Sequence, residues 1–448
     1  MRLMWNTRRI GLAATIVGLT ILLIFTRTSS SGPEHKTTFT EYPSSHPTIY
    51  RPKGSAFTRP QLIDLCHSAD SIYGHALTLT SQWAMDGTLE DMGTNYVDSC
   101  FPIEIATSQG GRSMGHCSDF VNYIVYGAAN GGRGGRLATD QFPKTVFDVK
   151  ARNCANHSIF IHGEFPLVQL LNRTDGTGVR NMWMPNLEQM DHNQAWIFTK
   201  ISKVLCKTRI TCAAIDKYLA ASGISDPPKT QFMSHSSVDV MKEVQEKNIN
   251  VKRKQDFNKF FHSYGLSKRK HTIELVDCWK RHPEWGQLTV VGYLNKKKFG
   301  KVPRNVKIFN RLPIDELRKL QFESGVHICP SQAEGYGHYI NEARSLSALV
   351  VTTNYPPMNE FVTDGESGIL IDYETAYHFD HQLIAPNYFL PEVHVSPNNI
   401  CSAMERVMAL DIDKRKQLGK QARVRYDEDT ALLIKNVEKL HEEARSWI

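Results

Sequence analysis

Pro330-Ser-Gln-Ala-Glu-Gly-Tyr-Gly-His338, continued by Tyr339-Ile-Asn-Glu-Ala343, is the stretch on which the reading of this chain turns. Val326 to Cys329 ahead of it reads as a short strand, a loop carrying Gly335 and Gly337 follows, and a helix is expected over Tyr339 to Leu346. That order presents bare backbone amides and the positive end of a helix dipole to an anion. Glu334 and Glu342 have seven residues between them, which puts one in the loop and the other near the first helical turn. Open α/β sheets bind ligands above the carboxyl ends of their strands, and carboxylates placed there accept hydrogen bonds from sugar or ribose hydroxyls. On spacing alone, two solvated glutamates fit the pattern equally well.

Outward from this point the same alternation continues. Strands are expected at Asn258 to His262, Gln287 to Gly292, Val306 to Phe309, Leu349 to Thr353 and Ile369 to Ile371, with helices over Thr272 to Arg281 and Ile314 to Glu323 between them. Strands alternating with helices mean a parallel sheet covered on both faces. Helices over Ile400 to Met408 and Asp429 to Trp447 close the chain. The first half opens with Ile103-Glu-Ile-Ala-Thr107, the loop Gln109-Gly-Gly-Arg-Ser-Met-Gly115 and an apolar-periodic stretch through Phe120, Ile124 and Tyr126. This is a second Rossmann-like start, in which Gly110 and Gly111 let the backbone approach a ligand closely. Further strands are expected at Ser158 to His162, Val179 to Met184, Lys203 to Cys206 and Gln231 to Met233, and a helix over Ile215 to Ser222. The polar stretch 239–255 reads as a linker between the two halves.

The chain has 448 residues, 41% hydrophobic and 22% charged, long enough for two cores. Its 53 Lys and Arg against 46 Asp and Glu give a net charge of +7, which suits anionic donors or lipid head groups and is too dilute to argue for nucleic acid. The nine cysteines show no Cys-x-x-Cys pair, so no structural zinc site is expected, and disulfides and buried thiols both stay open. Arg2, Arg8 and Arg9 precede an apolar run from Ile10 to Thr26 that Arg27 closes. The expectation is a cytoplasmic tail at 1–9 and an uncleaved transmembrane signal anchor at 10–26, a cleaved signal being the alternative. A flexible Ser, Thr and Pro-rich stem follows at 27–60, then a helical prelude at 61–99. The body would then lie in the lumen of the Golgi or endoplasmic reticulum, where Asn156-His-Ser158 and Asn172-Arg-Thr174 are glycosylation sequons.

Pro330 to Glu342, followed by Pro356-Pro-Met-Asn-Glu360 and Asp364-Gly-Glu-Ser-Gly368, resembles the carboxyl-terminal domain of glycosyltransferase family 4. The resemblance takes in Gly265-Leu-Ser-Lys-Arg-Lys-His-Thr272 and Leu288-Thr-Val-Val-Gly292, in the family's order. It implies an α/β protein of the GT-B fold, two facing Rossmann-like domains with parallel sheets, here an acceptor domain at 100–238 and a nucleotide-sugar donor domain at 256–411 with terminal helices over 412–448. It also implies transfer of a sugar from a nucleotide-sugar to a hydroxyl of a glycan, glycoprotein or glycolipid acceptor, with retention. By the resemblance Glu334 lies beside the donor sugar, Glu342 binds the nucleotide ribose, Lys270 neutralises the diphosphate, and the Gly335-Tyr336-Gly337 loop contacts the donor. A lysine in that role replaces Mg²⁺, so neither metal nor cofactor is expected.

The family usually pairs the lysine with an earlier arginine. Here that region reads His262-Ser-Tyr-Gly265, and Ser267, Lys268 and Arg269 are the candidates to stand in. Related enzymes place a histidine from the first domain near the donor sugar, which makes His162 a candidate, although a structural histidine is the simpler reading among 18. Asn186 and Glu188 follow a strand and are placed to reach an acceptor hydroxyl. The triplets Asp411-Ile-Asp413 and Asp427-Glu-Asp429, and the basic runs at 252–254 and 296–298, read as solvated surface. An anchored carbohydrate-binding or scaffold protein without catalysis is the alternative function.

Overall fold

In the computed structural model the described residues are 76–79, 103–107, 119, 122–123, 135–139, 159–164, 166, 171–172, 180–190, 192–251, 254–265, 267, 269–292, 299–310, 312–377 and 392–445. All of them belong to one unit, Ile49–Ile448. The expected tail, anchor and stem, together with Gly110, Gly111, Asn156 and Lys268, lie outside them. No helix among the described residues is long and apolar enough to cross a membrane.

The first sheet has seven strands: β1 (Ala76–Leu79), β2 (Ile103–Thr107), β3 (Gly135–Thr139), β4 (Ile159–His162), β5 (Arg180–Trp183), β6 (Lys203–Cys206) and β7 (Lys229–Phe232), in the order β1-β3-β2-β4-β5-β6-β7. All neighbours are parallel except β1, which runs antiparallel to β3. Part of the expected helical prelude is therefore a strand. Leu77 lies in a four-residue run that pairs along the edge of β3, and a run that short carries no periodicity able to decide between helix and strand. The glycine-flanked β3 was not anticipated. Helix α1 (Arg209–Ser222) starts six residues earlier than expected, because the Thr208 side chain accepts from the Thr211 amide, and it stops at Gly223 in left-handed conformation, φ 71°.

The second sheet runs β10-β9-β8-β11-β12-β13, all parallel, from β8 (Asp256–Gly265), β9 (Leu288–Gly292), β10 (Val306–Phe309), β11 (Ser324–Cys329), β12 (Leu349–Thr353) and β13 (Ile369–Ile371). Strands β9, β11 and β12 are buried along their whole length, as a sheet covered on both faces requires. Phe260, Trp279, Leu288, Val326 and Val351 centre the core, and Cys278 and Cys401 form a disulfide within it. A hairpin of β14 (Thr375–Tyr377) and β15 (Glu392–His394) adds to this half.

The stretch at 239–255 is more than a polar tether. Asp239 caps helix α2 (Val240–Glu246) through the Lys242 amide, and Val240 and Val244 pack against Leu346 and Ala348 of the second half. Helices α3 (Thr272–Arg281), α4 (Ile314–Glu323), α5 (His338–Ser345) and α6 (Pro397–Ala409) follow. The last helix, α7 (Ile412–Arg445), is continuous, where a helix from Asp429 only had been expected. At 34 residues it extends about 51 Å, enough to leave the second half and return to the first. There Lys203 pairs with Glu443 at 2.9 Å and the Asn436 amide donates to the Met233 carbonyl at 3.0 Å.

Candidate active site

Leaving aside the antiparallel edge strand β1, each sheet reverses its order once. The reversal falls between β2 and β4 in the first sheet and between β8 and β11 in the second. The carboxyl ends at such a switch point diverge and leave a crevice. In the second sheet the loops at that point carry Lys270 and Glu334. In the first, β4 ends on His162 and runs into Glu164.

Lys270 Nζ lies 3.9 Å from Glu334 Oε1 and 3.4 Å from the centroid of the Tyr339 ring, so the ammonium rests on the aromatic face with the carboxylate beside it. The Ser331 hydroxyl donates to Glu334 Oε1 and bonds the Tyr339 hydroxyl. Gly337, at φ 89°, takes a left-handed turn that a side chain would strain, and it starts α5 directly after the loop. Tyr336, expected to face the donor, is 3% exposed and packs on Phe361 and edge-on against His235. Its backbone remains in the loop while its ring is part of the core.

Glu342 sits further along α5. Its Oε2 accepts from Gln321 Nε2 at 2.9 Å and pairs with Arg318 Nη1 at 3.3 Å. Arg318 is also held by Glu243 of α2 at 2.7 Å. Burial pushes the Glu342 carboxyl up, but the Arg318 charge and the Gln321 bond outweigh it and hold it below the usual range. All of these contacts fall on Oε2.

The position of the missing arginine is explained by His262. It is 1% exposed, bonds the Ile328 carbonyl at 2.7 Å and Thr272 Oγ1 at 2.8 Å, and burial drives it down to about 3, so it carries no charge toward the crevice. Arg269 pairs with buried Glu392 at 3.0 Å and reaches the Glu188 carbonyl at 3.4 Å, spanning the two halves. Ser267 Oγ accepts from the Arg269 amide at 3.2 Å and so shapes the loop from within.

From the first half, Asn186 and Glu188 meet the donor-side loop. A Cβ on Gly335 would lie 2.5 Å from Asn186 Oδ1 and 2.7 Å from Glu188 Oε1, so only glycine leaves room there. Asn186 Nδ2 donates to Glu164 Oε2 at 2.8 Å. Burial, then the Glu164 charge, pushes the Glu188 carboxyl up to about 8, so it keeps its proton at neutral pH. His162 is fully buried with Nε2 3.1 Å from Asn181 Oδ1, and burial lowers it to about 4. It is a neutral imidazole whose Nδ1 has no hydrogen-bond partner among the described residues. Asn172 is exposed on a short helical segment.

Sequence reasoning missed several residues here. Glu164 lies two positions past His162 but offered no pattern of its own. Glu360 belongs to the motif Pro356 to Glu360, yet its contact is invisible in sequence: it accepts from the Arg209 and Ile210 amides at 2.8 and 2.9 Å, capping α1 of the other half. The Asp427-Glu-Asp429 triplet is not simply solvated, since Asp429 pairs at 2.7 Å with Arg344, which is 0% exposed.

Two Rossmann-like sheets whose switch points contribute to one crevice define a GT-B fold. Residues 244–385 match the family model of glycosyl transferases group 1. This stretch, about a third of the chain, is therefore similar to a glycosyl transferases group 1 domain. Among solved structures it is similar to HepE from Anabaena in complex with UDP and glucose, at 13% identity and a TM-score of 0.52, over 77% of this chain and 100% of that one. It is also similar to sucrose-phosphate synthase from Thermosynechococcus elongatus, at 13% identity and a TM-score of 0.51, over 77% of this chain and 99% of that one. It spans 58% of the length of a chain of the GtfA/B complex, with 12% identity over 65% of its own length and a TM-score of 0.49. No curated protein sequence matches it.

Proposed function

We propose that the protein transfers a sugar from a nucleotide-sugar donor to an acceptor hydroxyl, with retention and without a metal at the donor diphosphate. The observation that carries this is Lys270 beside Glu334 at the second switch point, with Gly335 pressed against Asn186 and Glu188 of the other half. In this reading Lys270 and the amides near Gly335 and Gly337 meet the diphosphate. Charge that develops on the departing phosphate is then met by a fixed cation and by dipoles already in place. Glu342 Oε1 takes a ribose hydroxyl while Arg318 holds Oε2, and Glu334 borders the sugar. The UDP bound to the Anabaena structure supports a uridine nucleotide as the first donor to try.

A retained configuration requires the acceptor to enter on the face the leaving diphosphate vacates, where the phosphate oxygen accepts the acceptor proton and no side-chain base is needed. Glu188, which keeps its proton, suits hydrogen bonding to the acceptor better than removing its proton. The acceptor is a glycan, glycoprotein or glycolipid.

The body is proposed to lie in the lumen of the Golgi or endoplasmic reticulum, anchored by residues 10–26 in type II orientation. Two disulfides, Cys206–Cys212 and Cys278–Cys401, and the exposed Asn172 sequon support an oxidising, glycosylating compartment. The test is product analysis with a nucleotide-sugar panel in the presence of EDTA. Turnover that yields an anomer of the donor's configuration agrees with the proposal. An inverted product, or turnover that requires added Mg²⁺ or Mn²⁺ and is not restored by one equivalent of zinc, contradicts it.

A further inference from the structure

Behind the Gly335 loop lies a cluster that the transfer reaction does not use. Asp119, in a helical segment of the first half, stands between His235, just past β7, and His338, the first residue of α5. Asp119 Oδ1 is 2.6 Å from His235 Nε2 and 2.9 Å from His338 Nε2. These three ligand atoms, drawn from both halves of the molecule, lie within 4.8 Å of one another. We propose that Asp119, His235 and His338 form a divalent transition-metal site, of the kind zinc occupies, that joins the two domains.

Four features support a metal over a closed hydrogen-bond network. The donor set is two imidazole nitrogens and one carboxylate oxygen, which suits zinc, with a fourth position left for water. A tetrahedral zinc with bonds of about 2.0–2.1 Å spaces its ligand atoms by roughly 3.4 Å, so the present contacts have to open by less than about 1 Å.

The outer shell is also in place. Ser237 Oγ bonds His338 Nδ1 at 2.9 Å, and Lys207 Nζ holds Asp119 Oδ2 at 2.8 Å, leaving Oδ1 as a single-oxygen ligand. Groups of this kind fix the ring and carboxylate orientation around a bound ion.

The third feature is unmet hydrogen bonding. Asn122 Oδ1, the Tyr123 hydroxyl and His235 Nδ1 are all buried beside the cluster, and none has a hydrogen-bond partner among the described residues. Asn122 and Tyr123 are each 0% exposed, the Asn122 amide nitrogen lies 3.5 Å from His235 Nε2, and the Tyr123 ring centre is 6.5 Å from that of His235. Buried polar atoms are rarely left without partners, and Asn122 Oδ1 and the Tyr123 hydroxyl call for an occupant whose coordinated water can satisfy them, while His235 Nδ1 faces away from the ligand side of its ring. Finally, the side chain of His338 is 26% exposed, which gives an ion a way in.

A second grouping of Cys278, His282 and Cys401 does not compete, because its two cysteines are bonded to each other. A metal held by Asp119 and His235 on one side and His338 on the other would favour the closed crevice, since His338 follows the Gly335 to Gly337 loop directly.

The test is zinc titration of the EDTA-treated full-length protein by competition with a chromophoric chelator, alongside Co²⁺ absorption spectra. The expected result is one equivalent of tightly held zinc and a visible Co²⁺ band of tetrahedral type. Both should be lost in His338→Gln and Asp119→Asn, and both should persist in His282→Gln. Ser237→Ala, which keeps every ligand, should weaken binding by roughly 10- to 100-fold. Thermal unfolding of the unaltered protein with and without zinc keeps the proposal testable should a variant misfold, with zinc expected to raise the midpoint. Equal zinc uptake by the unaltered protein and His338→Gln, or no zinc-dependent rise in the midpoint, would show that water alone fills the site and overturn the proposal.

Discussion

Replacing Gly335 by alanine adds one methyl group at a close contact between the two halves. That methyl would lie 2.4 Å from Asn186 Cγ, 2.5 Å from its Oδ1 and 2.7 Å from Glu188 Oε1. Real carbons do not approach so closely, and Asn186 has little freedom to withdraw because Glu164 holds its amide at 2.8 Å. The three nearest obstacles all come from the opposite half, so the penalty should fall on closure of the crevice more than on folding of either sheet. Inserting a methyl into a packed site costs about 1–3 kcal/mol. If closure is required for transfer, that cost lowers kcat/KM by roughly 5- to 150-fold.

The assay is steady-state transfer by the single variant, by Asn186→Ala, and by the double variant, each with a thermal unfolding curve. Asn186→Ala alone is expected to lose activity, since it removes a crevice residue and leaves Glu164 without the amide. The double variant should lose less than the sum of the two single losses, because the two nearest of the three clashes go with Asn186 while the one with Glu188 Oε1 at 2.7 Å stays, and the departure from additivity measures the Asn186 contact. A Gly335→Ala enzyme within twofold of the unaltered one, or losses that simply add, would show that this contact does not limit closure.

Glu342→Gln keeps the shape of the side chain but weakens its hold on a ribose hydroxyl. Donor KM should rise with kcat little changed, as expected for a contact present in both ground and transition states, and steady-state kinetics at varied donor will show it. Glu188 is raised to about 8 in the folded protein, so the folded state holds a proton that the unfolded state releases above its ordinary carboxylate range. That contribution is complete at acid pH and is lost as pH rises toward 8, with a slope of up to about 1.4 kcal/mol per pH unit. Glu188→Gln should flatten this decline in a series of denaturant midpoints. Glu360→Ala removes the cap on α1 from across the crevice and should cost about 1 kcal/mol in thermal or denaturant unfolding, with Glu360→Gln recovering part of it.

The second half was the more legible in sequence. Strands β10, β12 and β13 and helices α3 and α4 fall where apolar periodicity placed them; the strands and α3 pack apolar residues on one core, whereas α4 buries Arg318 and Gln321 instead. The first half was harder. Strand β1 is only four residues long and depends on a partner distant in sequence, and β3 carries glycine at its start, so neither announces itself locally. Helix α7 was read short because 412–428 is rich in Lys, Arg and Gln. That segment is stabilised by tertiary contacts such as Arg415 donating to the Phe257 carbonyl at 2.9 Å and Arg423 pairing with Asp239 at 2.8 Å.

At the candidate site, the sequence supplied the residues of the glycine loop but not their partners. The proximity of Lys270 to Glu334 follows from β8 and β11 being neighbours, which their order in sequence leaves open. The contacts of Glu342 with Arg318, of Arg269 with Glu392 and of Glu360 with α1 are long-range pairings with no local signature. His262 shows the limit of matching by position. It occupies the region where the family carries an arginine, yet it is buried and bonded to Thr272 and the Ile328 carbonyl, so it takes no part in holding a diphosphate.

The proposed transfer depends above all on Lys270 and the Gly335 loop receiving a nucleotide diphosphate. Calorimetric titration of the protein as purified, with no metal added, against a panel of nucleotide-sugars, uridine donors first, tests this when repeated on Lys270→Ala. Saturable binding of at least one donor without added metal is expected, weakened by at least tenfold in the variant. Absence of binding by a well-folded protein across the panel, or binding that Lys270→Ala leaves unchanged, would contradict it.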